Sequence, residues 1–169
     1  MTARPVAGRI LSVAFHRYRQ HLRGLTLGAR GMVLREGAGG PEVLLIRHTY
    51  APGFQLPGGG VEPGESAEEA LRRELWEEAR IRPAERPELF GFYHNGPRWP
   101  RDHIALYVVR RFTQPEAPRP DREIAEHRWA SVTSLPAEIL EGPRRRIAEV
   151  LDGAPRSETW VPPEAPPRS

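Results

Sequence analysis

Apolar side chains recur along the chain with two different spacings, and these spacings predict where strands and helices lie. Runs rich in β-branched and aromatic residues, bounded by glycine, proline and polar residues, are typical of strands. They predict strands at 25–35, 42–48, 88–94, 103–112 and 127–130. Strands that alternate with a few helices favour an α/β sandwich.

Apolar residues spaced three and four positions apart predict helices at 9–22, 67–79 and 143–151. The first helix is short and amphipathic, and we expect it to pack on its own domain rather than on a membrane surface or a partner chain. The last stretch of the chain is proline-rich with little to bury, which predicts a flexible tail. The expected organisation is an N-terminal helix in 1–24, a main domain in 25–152 and a tail in 153–169.

The composition excludes several kinds of chemistry. The 169-residue chain has no cysteine, which excludes disulfides, thiolate metal sites and cysteine nucleophiles. It has no lysine either, which excludes Schiff-base chemistry because arginine does not lose its proton. The formal net charge is +3, but 22 acidic residues are interleaved with 25 basic ones, so a nucleic-acid partner is not expected. No apolar run approaches the roughly 20 residues that span a bilayer, so we expect a cytoplasmic protein without a membrane partner.

Three glutamates of the helix predicted at 67–79 fall on one face. Glu74, Glu77 and Glu78 are spaced i, i+3 and i+4, which places them within about 80° of one another around the helix axis. Carboxylates this close repel unless a cation offsets the repulsion, and hard oxygen ligands suit Mg²⁺ or Mn²⁺. The alternative is a solvated surface helix with i, i+4 ion pairs, for which Glu69–Arg73 and Arg73–Glu77 are candidates.

A glycine cluster precedes this helix and favours a functional site over a solvated surface. Gly58, Gly59, Gly60 and Gly64 can adopt positive φ and let the backbone approach a ligand closely. They lead into a helix N-terminus, where free N–H groups favour anions. The glycines can therefore approach a phosphate while the acidic face holds a metal ion.

The segment from Gly58 to Ile81 resembles the Nudix box. The matching positions are Gly59, Glu65, Arg73, Glu74, Leu75, Glu77, Glu78 and Ile81, all in register. Leu56-Pro57-Gly58-Gly59 is also similar to the turn that family members often carry before the box. The resemblance extends from Leu25 to Leu151 and implies an α/β fold, a Nudix-type α/β/α sandwich with a mixed central sheet.

Nudix hydrolases cleave a diphosphate linkage in nucleoside-diphosphate-linked compounds, and the resemblance implies the same metal-dependent attack of water on phosphorus here. Arg73 and Glu65 would be supporting residues, since a guanidinium can orient neighbouring carboxylates. With Mg²⁺ or Mn²⁺ as the cofactor, the metal ligands carried over by position are the Gly59 carbonyl and the carboxylates of Glu74, Glu77 and Glu78.

A general base must take the proton of the attacking water. Glu74 is one candidate, and an acid from a later loop is the other, because family members differ at this point. Glu123, ahead of the last predicted strand, matches the later acid best, with Glu126 and Asp121 as competitors. The predicted catalytic residues are Glu74, Glu78, Arg73 and Glu123.

The group attached to the diphosphate is less well defined by the sequence. Arg47, Tyr93, Trp99 and Arg101 are candidates to stack on a base or bind a phosphate, although ordinary packing explains the aromatic residues equally well. Pro97, sixteen positions after Ile81, is similar to the spacing in ADP-ribose hydrolases. The substrates to consider are ADP-ribose, other nucleotide sugars and nucleotides, and a homodimer is one assembly that the resemblance implies.

Arg80 stands where the family has glycine, and this is the one departure from the box. A glycine there resembles a helix-ending residue in the left-handed region, which costs other residues on the order of 1 kcal/mol. The main alternative to an enzyme is a non-catalytic Nudix-like module that binds a nucleotide or a protein, but all the box carboxylates are present. An isoprenoid-diphosphate isomerase of the same fold would need a catalytic cysteine, which this chain lacks.

Overall fold

The computed structural model describes residues 24–96 and 99–162, so the helix predicted at 9–22 lies outside the described residues. The strands are β1 Thr26–Gly37, β2 Gly40–His48, β3 Gly58–Gly60, β4 Arg82–Pro83, β5 Glu88–His94, β6 Asp102–Val109, β7 Phe112–Thr113 and β8 Ile124–Ser131. The helices are α1 Ala67–Ala79 and α2 Glu141–Leu151. Among the described residues, neither helix has the length and apolar character needed to cross a membrane.

Six strands form one mixed sheet, the type of sheet that the resemblance to the Nudix family implies. The strand order is β5-β6-β1-β2-β8, with β3 also paired to β1, while β4 and β7 form a separate two-stranded sheet. β1 and β6 run parallel, and the other pairs of the large sheet run antiparallel. α1 packs on one face of this sheet and α2 on the other, which confirms the predicted α/β/α sandwich.

The two faces of β1 supply the two halves of the core. Val33 packs with Leu71 and Leu75 of α1, whereas its neighbour Met32 belongs to the cluster that contains Ile147 of α2. Successive side chains of a strand point to opposite faces, so a strand between two helical layers needs apolar residues at consecutive positions. This requirement explains the consecutive apolar residues Met32, Val33 and Leu34 in β1.

β1 and β2 diverge near the middle of the sheet, and the glycine cluster fills the gap between them. β1 pairs with β2 over 34–37 but with β3 over 28–30. Between these two ladders, the Gly31 N–H donates to the Pro57 carbonyl at 2.8 Å. The glycines therefore form a short inserted strand next to α1, where the sequence had indicated a loop.

α1 begins and ends where the sequence predicts, at 67 and 79. The Ser66 side chain accepts a hydrogen bond from the Glu69 N–H at 3.2 Å, and the Glu69 carboxylate accepts one from the Ser66 N–H at 2.8 Å. This reciprocal capping box satisfies two N–H groups that the helix itself cannot pair. Because the signal is local, the sequence alone was sufficient to place the start of the helix.

The backbone of Arg80, which follows α1, lies in the left-handed region with φ 56° and ψ 31°. Among the described residues it is the one non-glycine residue with positive φ. Its side chain donates to the Trp76 carbonyl at 3.2 Å and lies 3.5 Å from the Glu116 carboxylate. The helix therefore ends in the conformation for which a glycine is suited, with an arginine in its place.

Arg80→Gly is expected to stabilise the protein by about 0.5–1 kcal/mol. A left-handed residue other than glycine costs about 1–2 kcal/mol, while the greater freedom of glycine in the unfolded chain returns about 0.4–1 kcal/mol. Urea denaturation measures the difference. Arg80→Ala is the matched control, since it removes the side-chain contacts and keeps the strain, and it should not stabilise. A glycine variant no more stable than the alanine variant would contradict this explanation.

Five predicted elements differ from the observed ones at their ends, β1 and β2 by only one or two residues. The strand predicted at 103–112 stops at Val109, and Phe112 belongs to β7, because two exposed arginines interrupt the run. The strand predicted at 127–130 is longer, since β8 pairs with β2 along most of its length. α2 starts before Pro143, because a proline in the first helical turn leaves no hydrogen bond unmade.

The prediction of a flexible tail is wrong for residues 153–162, the part of the tail that the structure describes. Trp160 is 8% exposed and belongs to the same apolar cluster as Ile147. Its N–H donates to the His94 carbonyl at 2.8 Å, and the His94 N–H donates to the Glu158 carbonyl at 2.9 Å. A single large aromatic side chain and these backbone bonds hold the segment against the end of β5, which the proline-rich composition did not reveal.

Candidate functional site

The glycine turn meets α1 at two positions where a side chain has no room. Gly58 has φ +133°, and a Cβ atom there would overlap the Ala29 carbonyl oxygen. A Cβ atom on Gly59 would overlap the carboxylate of Glu74 on α1. The glycines therefore allow β3 and α1 to come together, and the Gly59 backbone lies directly against one of the predicted carboxylates.

Glu78 is the most buried carboxylate of the acidic face, with 7% of the residue exposed. Its Oε2 accepts a hydrogen bond from the Gly58 N–H at 2.6 Å, and its Oε1 lies 3.7 Å from His48 Nε2. Burial raises the pKa of Glu78 to about 8, and nearby carboxylates add to the rise, while the Gly58 N–H and Arg30 oppose it. The protein alone therefore stabilises the negative charge of Glu78 poorly, and a bound cation would stabilise it.

Arg73 joins the other carboxylates of the box. Its guanidinium donates to Glu65 at 2.8 Å, to Glu74 at 2.7 Å and to Glu77 at 3.3 Å. It also donates to the Gly60 carbonyl at 3.0 Å, so it links α1 to β3. The bonds to Glu65 and then Glu74 raise the pKa of Arg73, so its charge is permanent. Arg73 therefore holds the acidic face in place against the glycine turn.

The chemistry of the predicted donor set would suit a hard divalent cation. It consists of carboxylate and carbonyl oxygens from Glu74, Glu77, Glu78 and Gly59, which are the kinds of ligand that Mg²⁺ and Mn²⁺ prefer. Within residues 24–96 and 99–162, no three acidic or histidine side chains already converge as a complete ligand set. Glu74 and Glu77 instead contact Arg73, so a cation would compete with Arg73 for both carboxylates.

Glu123 is the late acid that the fold brings toward Glu78. The negative charge of Glu123 adds to the burial-driven rise in the Glu78 pKa and opposes the burial-driven fall in the His48 pKa. Its carbonyl accepts a hydrogen bond from the Thr49 N–H at 2.8 Å, which ties the segment before β8 to the end of β2. Pairing of these two chain segments therefore delivers a carboxylate from outside the box.

The two competing acids have other partners. The Asp121 carboxylate accepts the N–H of Glu123 at 2.8 Å and that of the following residue at 2.7 Å, so it caps the turn that presents Glu123. The Glu126 carboxylate contacts Arg47 at 2.5 Å and Arg128 at 2.7 Å. Both carboxylates are engaged in local structure, which favours Glu123 among the three.

Two residues beside Glu78 belong to no motif, and sequence reasoning missed both. Arg30 of β1 donates to the carbonyls of Gly58 and Leu56, and its charge opposes the burial-driven rise in the Glu78 pKa. His48 is 6% exposed, and burial followed by the charge of Arg30 lowers its pKa, so the ring is neutral at pH 7. The available signal was a lone arginine within the apolar run of β1.

The predicted substrate-binding residues do not lie together. Arg47 lines a cavity of about 770 Å³ that also includes His48. Trp99 and Arg101 line a different cavity of about 460 Å³ beside the start of β6. No box carboxylate is among the described residues that line either cavity, but His48 of the first cavity lies 3.7 Å from Glu78.

Tyr93 lies in the core, which corrects the prediction that it contacts substrate. It is 1% exposed, and its hydroxyl donates to the Glu149 carboxylate of α2 at 3.0 Å. Its ring makes an edge contact with Trp160 at 5.8 Å between centroids. The side chain therefore joins β5, α2 and the C-terminal segment, and its ring is not open to a ligand.

A family model described as NUDIX domain matches residues 25–151, which include the glycine turn, α1 and Glu123. A relative named "Putative 8-oxo-dGTP diphosphatase" in Bacillus subtilis (strain 168) is 33% identical over 129 residues, covering 76% of this chain and 82% of that protein. A MutT-like protein of Streptomyces ambofaciens is 31% identical over 129 residues, covering 76% and 79% respectively. The crystal structure of a MutT NUDIX hydrolase from Burkholderia pseudomallei matches with a TM-score of 0.63 at 25% identity, covering 74% of this chain and 97% of that one.

Proposed function

The chain belongs to the NUDIX domain family, and from this membership we propose that it hydrolyses a diphosphate linkage in a nucleotide-type substrate with Mg²⁺ or Mn²⁺. The contact between Gly58 and the buried carboxylate of Glu78 carries the proposal. It joins a backbone that can approach a phosphate to a carboxylate whose ionised form the protein alone stabilises poorly. A structural or purely protein-binding surface would have no need for a buried, poorly compensated carboxylate at this point.

The residues of the acidic face would hold the cation, and Arg73 and Glu65 would position them. When bound, the cation supplies charge neutralisation for the diphosphate and lowers the pKa of a water molecule for in-line attack on phosphorus. Arg73 keeps its position through Glu65, the contact that most raises the arginine pKa. The proposed ligands are Glu74, Glu77, Glu78 and the Gly59 carbonyl.

We assign the general base to Glu123, with Glu74 as the alternative. Glu74 already accepts a hydrogen bond from Arg73 and is needed for the cation. Glu123 reaches the site from a separate segment, and its backbone is fixed by Thr49 and by Asp121. A carboxylate near the cation but outside its ligand set can accept the proton of the attacking water without giving up a metal contact.

The substrate is a nucleoside triphosphate or a nucleoside-diphosphate-linked compound such as ADP-ribose or another nucleotide sugar. The name of the Bacillus subtilis relative supports the first class, since it describes a nucleoside triphosphate as its substrate. We include a homodimer in the proposal and exclude nucleic acid as a partner. The second candidate, a non-catalytic nucleotide-binding module, has no specific observation in its favour, because every box carboxylate is present.

A substrate panel tests the proposed function. The full-length chain is incubated with ADP-ribose, UDP-glucose, diadenosine polyphosphates, nucleoside triphosphates including 8-oxo-dGTP, and a 5′-triphosphorylated RNA, each with Mg²⁺ and with Mn²⁺. We expect hydrolysis of at least one small nucleotide, with no turnover after the metal is removed by EDTA and with recovery when it is restored. Binding without turnover across the panel would favour the non-catalytic module, and preference for the RNA would contradict the exclusion of nucleic acid.

A further inference from the structure

A cavity of about 770 Å³ lies at the end of β2, and His48 stands between it and Glu78. His48 connects the two, since it lines the cavity and its Nε2 lies 3.7 Å from Glu78 Oε1. The lining comes from the loop at 47–53 and from the segment that includes Leu140. Cavities of this size are typical of small-molecule sites. A substrate whose diphosphate lies on the carboxylates could therefore extend a second group into this cavity.

Among the described residues, Tyr50 is the most exposed large apolar or aromatic residue, with 71% of its surface open to solvent. Its ring stacks on that of His48, with 4.8 Å between centroids and 23° between planes. Burial raises the pKa of Tyr50, and the negative charges of Glu123 and then of Glu78 raise it further. The phenol ring is thus supported from one side, largely uncovered, and within electrostatic range of the carboxylate site.

The support under Tyr50 is itself a buried polar ring. His48 is 6% exposed, and its Nδ1 is buried without a hydrogen-bond partner among the described residues. His48 therefore provides a fixed base for the Tyr50 ring.

The loop that carries Tyr50 is fixed at both ends. Thr49 donates through its N–H to the Glu123 carbonyl and through its hydroxyl to the Arg122 carbonyl, each at 2.8 Å. Phe54 exchanges backbone hydrogen bonds with the segment at 138–140, at 3.0 and 2.9 Å. The ring therefore needs little ordering when a ligand stacks on it, which favours binding.

Two polar side chains of this wall, those of Arg47 and Thr49, are already engaged, and the wall also has an exposed apolar side chain. Arg47 pairs with Glu126 at 2.5 Å, and the Thr49 hydroxyl is bound to the backbone. Leu140, by contrast, is 41% exposed on the opposite segment of the lining. A flat aromatic group fits this combination of stacking surface and apolar wall.

We propose that Tyr50, stacked on His48, binds the aromatic base of the nucleotide while the diphosphate lies on the carboxylate site. The placement of the diphosphate on the carboxylates rests on the proposed function. Stacking accepts any base, since every base has a π-face, so Tyr50 selects for the presence of a base more than for its identity. Leu140 adds an apolar contact at the same cavity.

Calorimetric titration of the full-length chain with ADP and with inorganic pyrophosphate, in Mg²⁺, tests the inference without requiring turnover. Tyr50→Ala should weaken ADP binding by roughly 5- to 150-fold, the fold-change that loss of one base–aromatic stack corresponds to, and should leave pyrophosphate binding nearly unchanged. Tyr50→Phe keeps the ring and should show at most a small part of the loss. Equal ADP affinity in wild type and Tyr50→Ala, or equal weakening for both ligands, would overturn the inference, as would a wild type that binds no ADP.

Phe92→Ala is the matched control. Phe92 is 58% exposed and stacks on His103, with 5.2 Å between centroids, but it lies on β5 toward the other edge of the sheet. Its replacement should change neither titration, and a loss equal to that of Tyr50→Ala would overturn the assignment.

Kinetics separate this inference from the proposed function. A fall in kcat/KM through KM for the nucleotide supports the Tyr50 assignment, whereas ADP binding that depends on Tyr50 in a chain that hydrolyses nothing would support Tyr50 and refute the hydrolase.

Discussion

Glu78→Gln is expected to lower metal-dependent turnover by roughly 10³-fold or more, which corresponds to the several kcal/mol that a catalytic cation contributes. Glu78 accepts the Gly58 N–H and has the most perturbed carboxyl group of the box, with a pKa of about 8. An amide keeps the shape and can still accept that hydrogen bond, but it has no charge with which to hold a cation. Steady-state kinetics at saturating Mg²⁺ measure the loss.

Stability separates this effect from misfolding. At pH 7 and without metal, the raised pKa means that folding favours the neutral form of Glu78, and glutamine imitates that form. The metal-free variant should therefore melt at or above the wild-type temperature. Glu123→Gln is the matched comparison, because it should lower kcat while leaving metal affinity intact. Near-wild-type turnover of Glu78→Gln would contradict the assignment of the site.

Glu149→Ala is expected to destabilise the protein by about 3–5 kcal/mol, the usual effect of removing one partner of a buried ion pair. The Glu149 carboxylate accepts hydrogen bonds from Arg146 at 2.6 Å, from the Tyr93 hydroxyl at 3.0 Å and from the Ser157 N–H at 3.0 Å. The side chain of Arg146 is 0% exposed, so its charge would lose its carboxylate in a site that water does not reach. Urea denaturation measures the loss.

Glu141 supplies the control on the same helix. It lies 3.6 Å from Arg145, with 55% of its side chain exposed, so Glu141→Ala should cost less than about 1 kcal/mol. A Glu149→Ala effect no larger than that of the control would show that the cluster around Arg146 does not hold α2 and the C-terminal segment to the sheet.

The features that the sequence predicted correctly depend on neighbours in the chain. The bounds of α1 followed from the helical spacing of its apolar residues, and in the structure Ser66 and Glu69 cap its start. The common face of the acidic residues followed from helical spacing alone. The resemblance to the Nudix box added the fold class, because its glycines and carboxylates mark one strand–turn–helix unit.

The features that it missed depend on contacts between distant segments. Arg30 and His48 reach Glu78 only because β1 and β2 diverge around β3, and no periodicity marks a single buried polar residue. Trp160 looked like part of an unstructured tail because its partners are up to 67 positions away, at Tyr93. The same cluster removed Tyr93 from the substrate candidates, since its hydroxyl needs Glu149.

The exposed aromatic ring at Tyr50 shows the same limit at the functional site. Its sequence context is a loop, and only the fold reveals that His48 lies beneath it and that Glu123 and Glu78 are within electrostatic range. The predicted aromatic candidates came instead from the cluster at 92–101, because a group of aromatic residues in the sequence is easier to notice than one residue.

The most direct test of the central claim is hydrolysis of the best substrate of the panel in ¹⁸O-labelled water, followed by mass spectrometry of both products. Metal-dependent attack of water on phosphorus at the site of Glu74, Glu77 and Glu78 predicts one labelled oxygen on a phosphate product when Mg²⁺ or Mn²⁺ is present. No product should form in samples that contain EDTA. Turnover that persists in EDTA, or label found on a carbon of the substrate rather than on phosphorus, would contradict it.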